Sequence, residues 1–391
     1  MKTKSVKRTK KRTAILVIHG IGEQEPFETL DSFAANFVKF VDYLPPLEHK
    51  MVSRRGAGGV EWQESFVSIE RPNEAPLDVH EFYWAYMTEE QISIQEVIRW
   101  VGKTLKATEK FYKENLDLQR EYEQRRGKEP FPLRNVLRLL RWTAVLSPFV
   151  KLAWALASPF SKLSVTNWFH SLLDKFGWVV TGYIGDIAVY TTTDEKSRYF
   201  KIRQQILDES QALVEQILTD DSYDRVILAG HSLGSVIAYD TLNRINIKTN
   251  VAGRNSVPIS KLAGFVTFGS PLDKIAFFFR EHSEVHQYVR RQILAHLNSF
   301  KSKPLDTQPN GPLVTDPLAR NLDFIPWANY YAHNDPVSGH LDFYSVDLNK
   351  EVHLPEPWGV AHTGYWSCRE FYEDVAERFL KGYAGSEEST I

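Results

Sequence analysis

Three residues far apart in the chain have the types that acyl transfer needs: Ser232, Asp335 and His362. A serine hydroxyl is a poor nucleophile at neutral pH. An imidazole must take its proton, and a carboxylate must fix the imidazole's tautomer and stabilise its charged form. Ser232 lies in Gly230-His231-Ser232-Leu233-Gly234, directly after the β-branched, apolar run Arg225–Ala229. From Val236 the pattern turns helical, with Val236, Ile237, Tyr239 and Leu242 repeating near a 3.6-residue period. The spacing therefore predicts a sharp strand-to-helix turn that strains the serine backbone and pushes Oγ out above a sheet. The flanking glycines lack the Cβ atoms that would collide as strand and helix cross. The helix N-terminus adds backbone N–H donors and a partial positive charge.

On such an architecture the three groups come in the chain order Ser, acid, His. Asp335 follows the strand-like run Trp327–Ala332, where active-site loops sit. His362 lies in a Gly-flanked loop ahead of the last helix. Asp323, Asp342 and Asp347 are rival acids, and His333, His340 and His353 rival imidazoles. Asp335 is favoured because strand, acid and turn are contiguous, His362 because its loop leads into the final helix. Acyl transfer also needs an oxyanion donor from a second loop. The buried-strand run ending in His19-Gly20-Ile21-Gly22 suits that job, so the expected donors are the N–H groups of Ile21 and Leu233. His19 is read as a structural prop for this loop. Ser270, after the run Leu262–Phe268, is a rival nucleophile only on paper, because it lacks the flanking glycines and Pro271 has no N–H to offer an oxyanion. His282 and His286 are four apart, but no third metal ligand stands near them. The chemistry calls for no cofactor and no metal.

The elements that must position these residues read as an α/β fold: a mostly parallel central sheet with helices on both faces and a helical insertion. Residues 28–44 suggest a helix with Leu30, Phe33, Phe37, Val38 and Val41 inward, followed by a Gly- and Arg-rich loop from Arg54 to Gly59. Glu61–Glu70 and Val79–Tyr86 read as strands. Residues 180–192 return to small and β-branched types, and 194–219 form an amphipathic helix before the elbow strand. Phe277, Phe278 and Phe279 open a helix from Lys274; part of the cluster could line an apolar acyl pocket, or all of it could be core. Val346–Val352 is the last strand region, and a helix runs from about Trp366 to Leu380.

Residues 87–179 differ in character and are expected to be a helical cap or lid. Residues 128–175 hold seven basic and two acidic residues, with Trp142, Trp154 and Trp168. Arg134, Arg138 and Arg141 share one helical face and Leu133, Val136, Leu137 and Leu140 another, the pattern of an interfacial segment. Lys151, Pro148 and Pro159 argue against a true membrane span in 142–161. A membrane-facing lid and a plain buried cap both remain open. The expected division is a basic disordered tail 1–12, a core of 13–86 and 180–382, the insertion 87–179 and a tail 383–391. The first 12 residues carry seven Lys or Arg, either simply solvated or drawn to an anionic membrane.

The 391 residues are 43% apolar and 25% charged, which is globular composition with enough apolar residues for a large core. A net charge of −2 gives no global field for nucleic acid. The single cysteine, Cys368, permits no internal disulfide, which fits a cytoplasmic protein with or without peripheral membrane contact. None of these features sets the oligomeric state.

The stretches HGIG, GHSLGSVIAYD, FVTFGSPLD, WANYYAHNDPVSG and AHTGYW resemble the α/β-hydrolase superfamily, most closely its intracellular lipase-like branch of GPI inositol-deacylase-like and phospholipase-A1-like proteins. The resemblance covers about 13–86 and 180–382. It implies Ser232 as nucleophile, Asp335 as acid, His362 as base, and Ile21 and Leu233 as oxyanion donors. The expected activity is that of a serine esterase or lipase on lipid-like acyl esters. A thioesterase or amidase would use the same groups. A hydrolase-shaped scaffold that binds lipid or a protein partner is the non-catalytic alternative.

Overall fold

The computed structural model describes residues 11–20, 24–41, 47–56, 58–71, 74–88, 198–273, 287–303, 313–335, 337–357 and 360–381. Contacts divide the chain into Met1–Met87 with Arg203–Ile391, and Thr88–Ile202. The second unit lies almost wholly outside the described residues. So do the expected insertion, the run 180–192, Phe277–Phe279, His282, His286, Ile21, residues 383–391 and nearly all of the basic tail.

The first strand, β1 (Arg12–Ile18), is the buried centre of an eight-stranded sheet. Ala14–Ile18 has no accessible surface, as expected where both faces of a parallel sheet are covered. Helix α1 (Glu28–Phe40) follows, then β2 (Leu47–Arg55), β3 (Glu61–Ile69) and β4 (Leu77–Phe82). Helix α2 (Arg198–Thr219) leads into β5 (Tyr223–His231), α3 (Leu233–Val251) and β6 (Leu262–Phe268). The chain continues through α4 (Tyr288–Leu297), β7 (Trp327–Tyr331), β8 (Leu348–Glu351) and α5 (Arg369–Phe379). The sheet order is β2-β3-β4-β1-β5-β6-β7-β8. The β2–β3 and β3–β4 pairs are antiparallel and all others parallel. The α/β expectation, a mostly parallel sheet with helices, therefore describes this architecture.

Two aromatic-rich layers cover the sheet. On one side Phe33 and Phe37 of α1 meet Tyr372 of α5, with ring centroids 5.5 and 6.1 Å apart, and share a cluster with Ile15, Val17, Ala229 and Val266. On the other side Tyr239 of α3 packs on Phe300 and Trp327, while Phe265 stands 4.7 Å from Trp327. Burying one such ring contributes about 2 kcal/mol, so the sheet is clamped from both sides.

Polar groups as well as Ile69, Leu77 and Val79 join the antiparallel margin to the centre. Arg54 Nε donates to Glu64 Oε2 at 2.6 Å, and Glu64 Oε1 bonds His80 Nδ1 at 2.8 Å. His80 Nε2 lies 3.0 Å from the Tyr223 hydroxyl, which donates to Asp78 at 2.9 Å, and Arg12 Nε donates to Asp78 at 2.7 Å. This buried chain crosses five strands and satisfies polar groups that would otherwise be costly to bury.

Some expectations shift at their edges. Val79–Tyr86 is a strand only as far as Phe82; Ala85–Met87 is a 3₁₀ turn. The expected loop from Arg54 is a hairpin, because β2 runs to Arg55 and pairs with β3 from Arg55↔Glu61. The helix expected over 28–44 ends at Phe40.

Candidate functional site

Because β5 to β8 are parallel, their C-terminal ends share one edge of the sheet. Three loops leaving that edge bring Ser232, Asp335 and His362 together.

Ser232 is the single residue between β5 and α3. Its φ is +52° and ψ −127°, a conformation that costs a non-glycine residue about 1–3 kcal/mol. Its N–H donates to Phe268 O at 3.0 Å, continuing the β5–β6 ladder through the turn. The glycines on either side allow the close approach this requires. A Cβ on Gly230 would stand 2.5 Å from Ser235 Cα, and one on Gly234 would overlap the carbonyl oxygens of Ile18 and His19. The expected strand–turn–helix geometry is thus present. The residue itself, however, is only 1% exposed; the hydroxyl sits at the sheet's edge but is not thrust into solvent.

His362 lies on the 3₁₀ turn Ala361–Ser367, just before α5. Its Nε2 is 2.8 Å from Ser232 Oγ and its Nδ1 2.9 Å from Asp335 Oδ2. Asp335 follows β7 in a turn closed by its N–H donating to Ala332 O at 3.1 Å. The neighbouring Asn334 Nδ2 donates to Leu354 O and Glu356 O, at 3.0 and 2.7 Å. That pair of bonds ties the acid's loop to the segment that leads to the histidine.

Asp335 is 3% exposed. Burial alone would raise its pKa, but the opposing charge and hydrogen bond of His362 and the Val337 N–H outweigh it and hold the carboxyl at about 2. With Asp335 ionised, Nδ1 of His362 carries the proton of that contact, and Nε2 is the acceptor toward the Ser232 hydroxyl. Val337 N–H donates to Asp335 Oδ1 at 2.9 Å, and the Tyr365 hydroxyl donates to Oδ2 at 3.0 Å. Ser338 Oγ lies 2.8 Å from that same hydroxyl. Neither Tyr365 nor Ser338 was singled out in the sequence. The available signal was spacing, since Tyr365 is three residues after His362 and Ser338 three after Asp335.

Leu233 is the first residue of α3, so its N–H has no acceptor within the helix and lies at the positive end of the dipole. Ile21 lies outside the described residues. The other expected roles can be read directly. His19 is buried and stacked on Trp84 at 5.1 Å. Its Nε2 accepts the Trp84 N–H at 3.0 Å, its Nδ1 bonds Gly20 O at 2.7 Å, and Trp84 Nε1 donates to His19 O at 3.0 Å. Burial lowers its pKa to about 4, so the ring is neutral and pins β1 to the end of β4. The His231 ring packs at a tilt 4.9 Å from that of His362, and its Nε2 is 3.0 Å from His362 O. Burial, then the His362 charge, lowers its pKa to about 3. A neutral His231 therefore donates to the backbone of the loop that carries His362.

The rivals are engaged elsewhere. Ser270 is buried, bonds Ser235 Oγ at 2.7 Å and accepts the Leu272 N–H at 3.3 Å. Asp323 pairs with Arg320, and Asp342 with His340 at 3.0 Å. Asp347 accepts Lys301 Nζ and the Trp327 N–H, both at 2.8 Å. His333 faces Glu351 at 3.5 Å, and His353 is exposed. Among the described residues no helix is long and apolar enough to cross a membrane.

No family model matches the sequence. A protein named Phospholipase A1-II 7, from Oryza sativa subsp. indica, is 34% identical over 103 residues, an aligned stretch that is 24% of this chain and 24% of that protein. The chain thus spans about a quarter of the length of the curated relative it matches.

Proposed function

We propose that this protein is a serine hydrolase of the α/β-hydrolase superfamily that cleaves carboxylic esters of lipid-like substrates. The observation that carries the reading is the hydrogen-bonded line from Ser232 Oγ through the His362 ring to Asp335, 2.8 and 2.9 Å, anchored at a strained turn. The short similarity to a phospholipase A1 supports a lipid ester as substrate.

Ser232 Oγ attacks the ester carbonyl carbon while His362 Nε2 takes its proton. The imidazolium so formed is stabilised by Asp335, which keeps its negative charge. The carbonyl oxygen becomes an oxyanion and meets the N–H groups of Leu233 and Ile21, each such donor contributing about 3 kcal/mol to the transition state. Collapse returns the proton from Nε2 to the leaving alcohol and leaves the acyl group on Ser232. Water, deprotonated by the same imidazole, repeats the sequence and frees the acid. Every proton is accounted for within these groups and the substrate.

Ser232 is 1% exposed, so an ester reaches it only after some movement of its surroundings. Residues 128–175, basic and rich in tryptophan, are proposed as the segment that meets a membrane surface, within a cap formed by 87–179.

A fluorophosphonate probe tests the chemistry. Wild type is expected to be labelled and Ser232→Ala not. Absence of labelling in wild type overturns the proposal and leaves a lipid- or partner-binding scaffold. Substrate class is read from hydrolysis of esters, thioesters and amides of graded chain length. Equal efficiency on monomeric short-chain esters and on vesicles removes the membrane-facing role of 128–175.

A further inference from the structure

We infer that Tyr365 is a positioning residue for the proposed catalytic acid: its hydroxyl shares Asp335 Oδ2 with His362 and thereby sets how tightly that carboxylate holds the imidazole. The inference rests on the triad reading given above.

The geometry begins with the local helix type. His362 and Tyr365 both stand on the 3₁₀ turn Ala361–Ser367. In that conformation residues three apart eclipse one another, so the imidazole and the phenol project from one face. Both reach the same oxygen, His362 Nδ1 at 2.9 Å and the Tyr365 hydroxyl at 3.0 Å. Asp335 Oδ1 is taken by the Val337 N–H at 2.9 Å.

Proton counting fixes the direction of the bonds. An ionised carboxylate can only accept, so the single phenolic proton goes to Asp335. Ser338 Oγ is then the donor to the Tyr365 oxygen at 2.8 Å, a far shorter contact than its alternative acceptor, Ala332 O at 3.5 Å. The Ser338 oxygen in turn accepts the Ala332 N–H at 3.4 Å. The donors therefore align from Ala332 through Ser338 and Tyr365 onto Asp335, and each polarises the next. All three side chains are at least 95% buried, where such bonds are strongest. Burial also raises the Tyr365 pKa well above the ordinary value, which keeps the phenol protonated and a donor.

The consequence is electrostatic. Charge drawn toward the phenol is charge not offered to the imidazolium. Removing the phenolic hydroxyl leaves a more basic carboxylate facing His362, so the imidazole gives up its proton only at higher pH. Glu356, whose carboxylate lies against Gly364 between His362 and Tyr365, faces the same turn and is present in every variant compared. The histidines on this side are His231 of β5, its ring 4.9 Å from that of His362, and beyond it His19 of β1, both buried and neutral. Neither supplies a competing charge near neutral pH.

The experiment compares wild type, Tyr365→Phe and Ser338→Ala by pH profiles of ester hydrolysis. It also follows the far-downfield proton resonance of the His362 Nδ1–H···Asp335 bond. In Tyr365→Phe the acid limb of kcat/KM is expected to move up by about half a pH unit, with KM unchanged. The resonance should move further downfield. Ser338→Ala, which keeps the phenol in place, should give a smaller shift in the same direction and serves if Tyr365→Phe does not fold. An unmoved acid limb with an unmoved resonance overturns the inference, whatever happens to kcat or Tm, because a merely structural tyrosine would alter only those. Should wild type prove inert toward fluorophosphonate, the hydrolase proposal falls, while the resonance still decides whether Tyr365 and His362 compete for one oxygen.

Discussion

Replacing Asp335 by Asn is the sharpest perturbation of the site. The asparagine fills the same space and its oxygen can still accept the Val337 N–H. Its amide nitrogen then replaces Oδ2, so that a donor faces His362 Nδ1 and the Tyr365 hydroxyl. Tyr365 can turn its proton away, but the imidazole must move its proton to Nε2 to accept the amide. The ring would then donate to Ser232 Oγ instead of accepting from it, and the serine would lose its base. The expected fall in kcat is about 10⁴-fold, or about 5 kcal/mol at 1.36 kcal/mol per factor of ten. The assay is hydrolysis of a short-chain chromogenic ester at pH 7, with the rate of fluorophosphonate labelling as a second readout. Stability should change as well. The Asp335 pKa lies near 2 in the folded protein against 3.8 for the free group. The folded state thus binds fewer protons, and the stabilisation, roughly 2.5 kcal/mol, is complete above pH 3.8 and lost as pH falls through 2. In urea titrations the wild-type advantage should be present at pH 7 and shrink toward pH 3. A variant that keeps kcat within tenfold of wild type would refute the orienting role of Asp335.

Further outcomes follow from particular residues. Ser232→Gly should abolish hydrolysis yet raise stability by about 1 kcal/mol, since glycine adopts φ +52° without strain; an unchanged or lower Tm contradicts the strain argument. Gly234→Ala should cost about 3 kcal/mol or prevent folding, because its Cβ would overlap two carbonyl oxygens of β1 and the loop after it; wild-type denaturation would show the crossing to be looser than described. His19 and His231 have folded pKa values near 4 and 3, below the 6.5 of the free group. Below pH 6.5 the unfolded chain protonates them while the fold keeps them neutral, so stability is full above pH 6.5 and should fall by about 2 kcal/mol for each histidine on going to pH 5. Urea midpoints that do not change between pH 7 and 5 would contradict this.

The buried parallel strands were legible because physics writes them plainly. Leu262–Phe268 has no polar residue except Thr267, and the sequence boundaries are those of β6. Ser232, Asp335 and His362 could be proposed because chain order and neighbouring elements limit the choices. Strand β2 left no such mark. Leu47–Arg55 carries Glu48, Lys50, Arg54 and Arg55, and only Arg54 is buried. An edge strand held by the hairpin and an Arg54–Glu64 ion pair needs no apolar alternation, so neither period-2 nor period-3.6 reasoning finds it. Tyr365 and Ser338 stayed hidden for another reason. Each is an ordinary residue until β7 and the 3₁₀ turn bring it to Asp335. The expectations for 87–179, Ile21 and Phe277–Phe279 lie outside the described residues.

Ser232 leaves the end of β5, Asp335 follows β7, and His362 comes after β8. On the proposed assignment no contiguous fragment owns the machinery, and a one-residue slip between neighbouring strands would misalign it. During synthesis the base is made last, after every strand of the sheet. A nascent or misregistered chain can therefore display a serine hydroxyl without being able to use it. On that assignment, activity would act as a readout of completed folding.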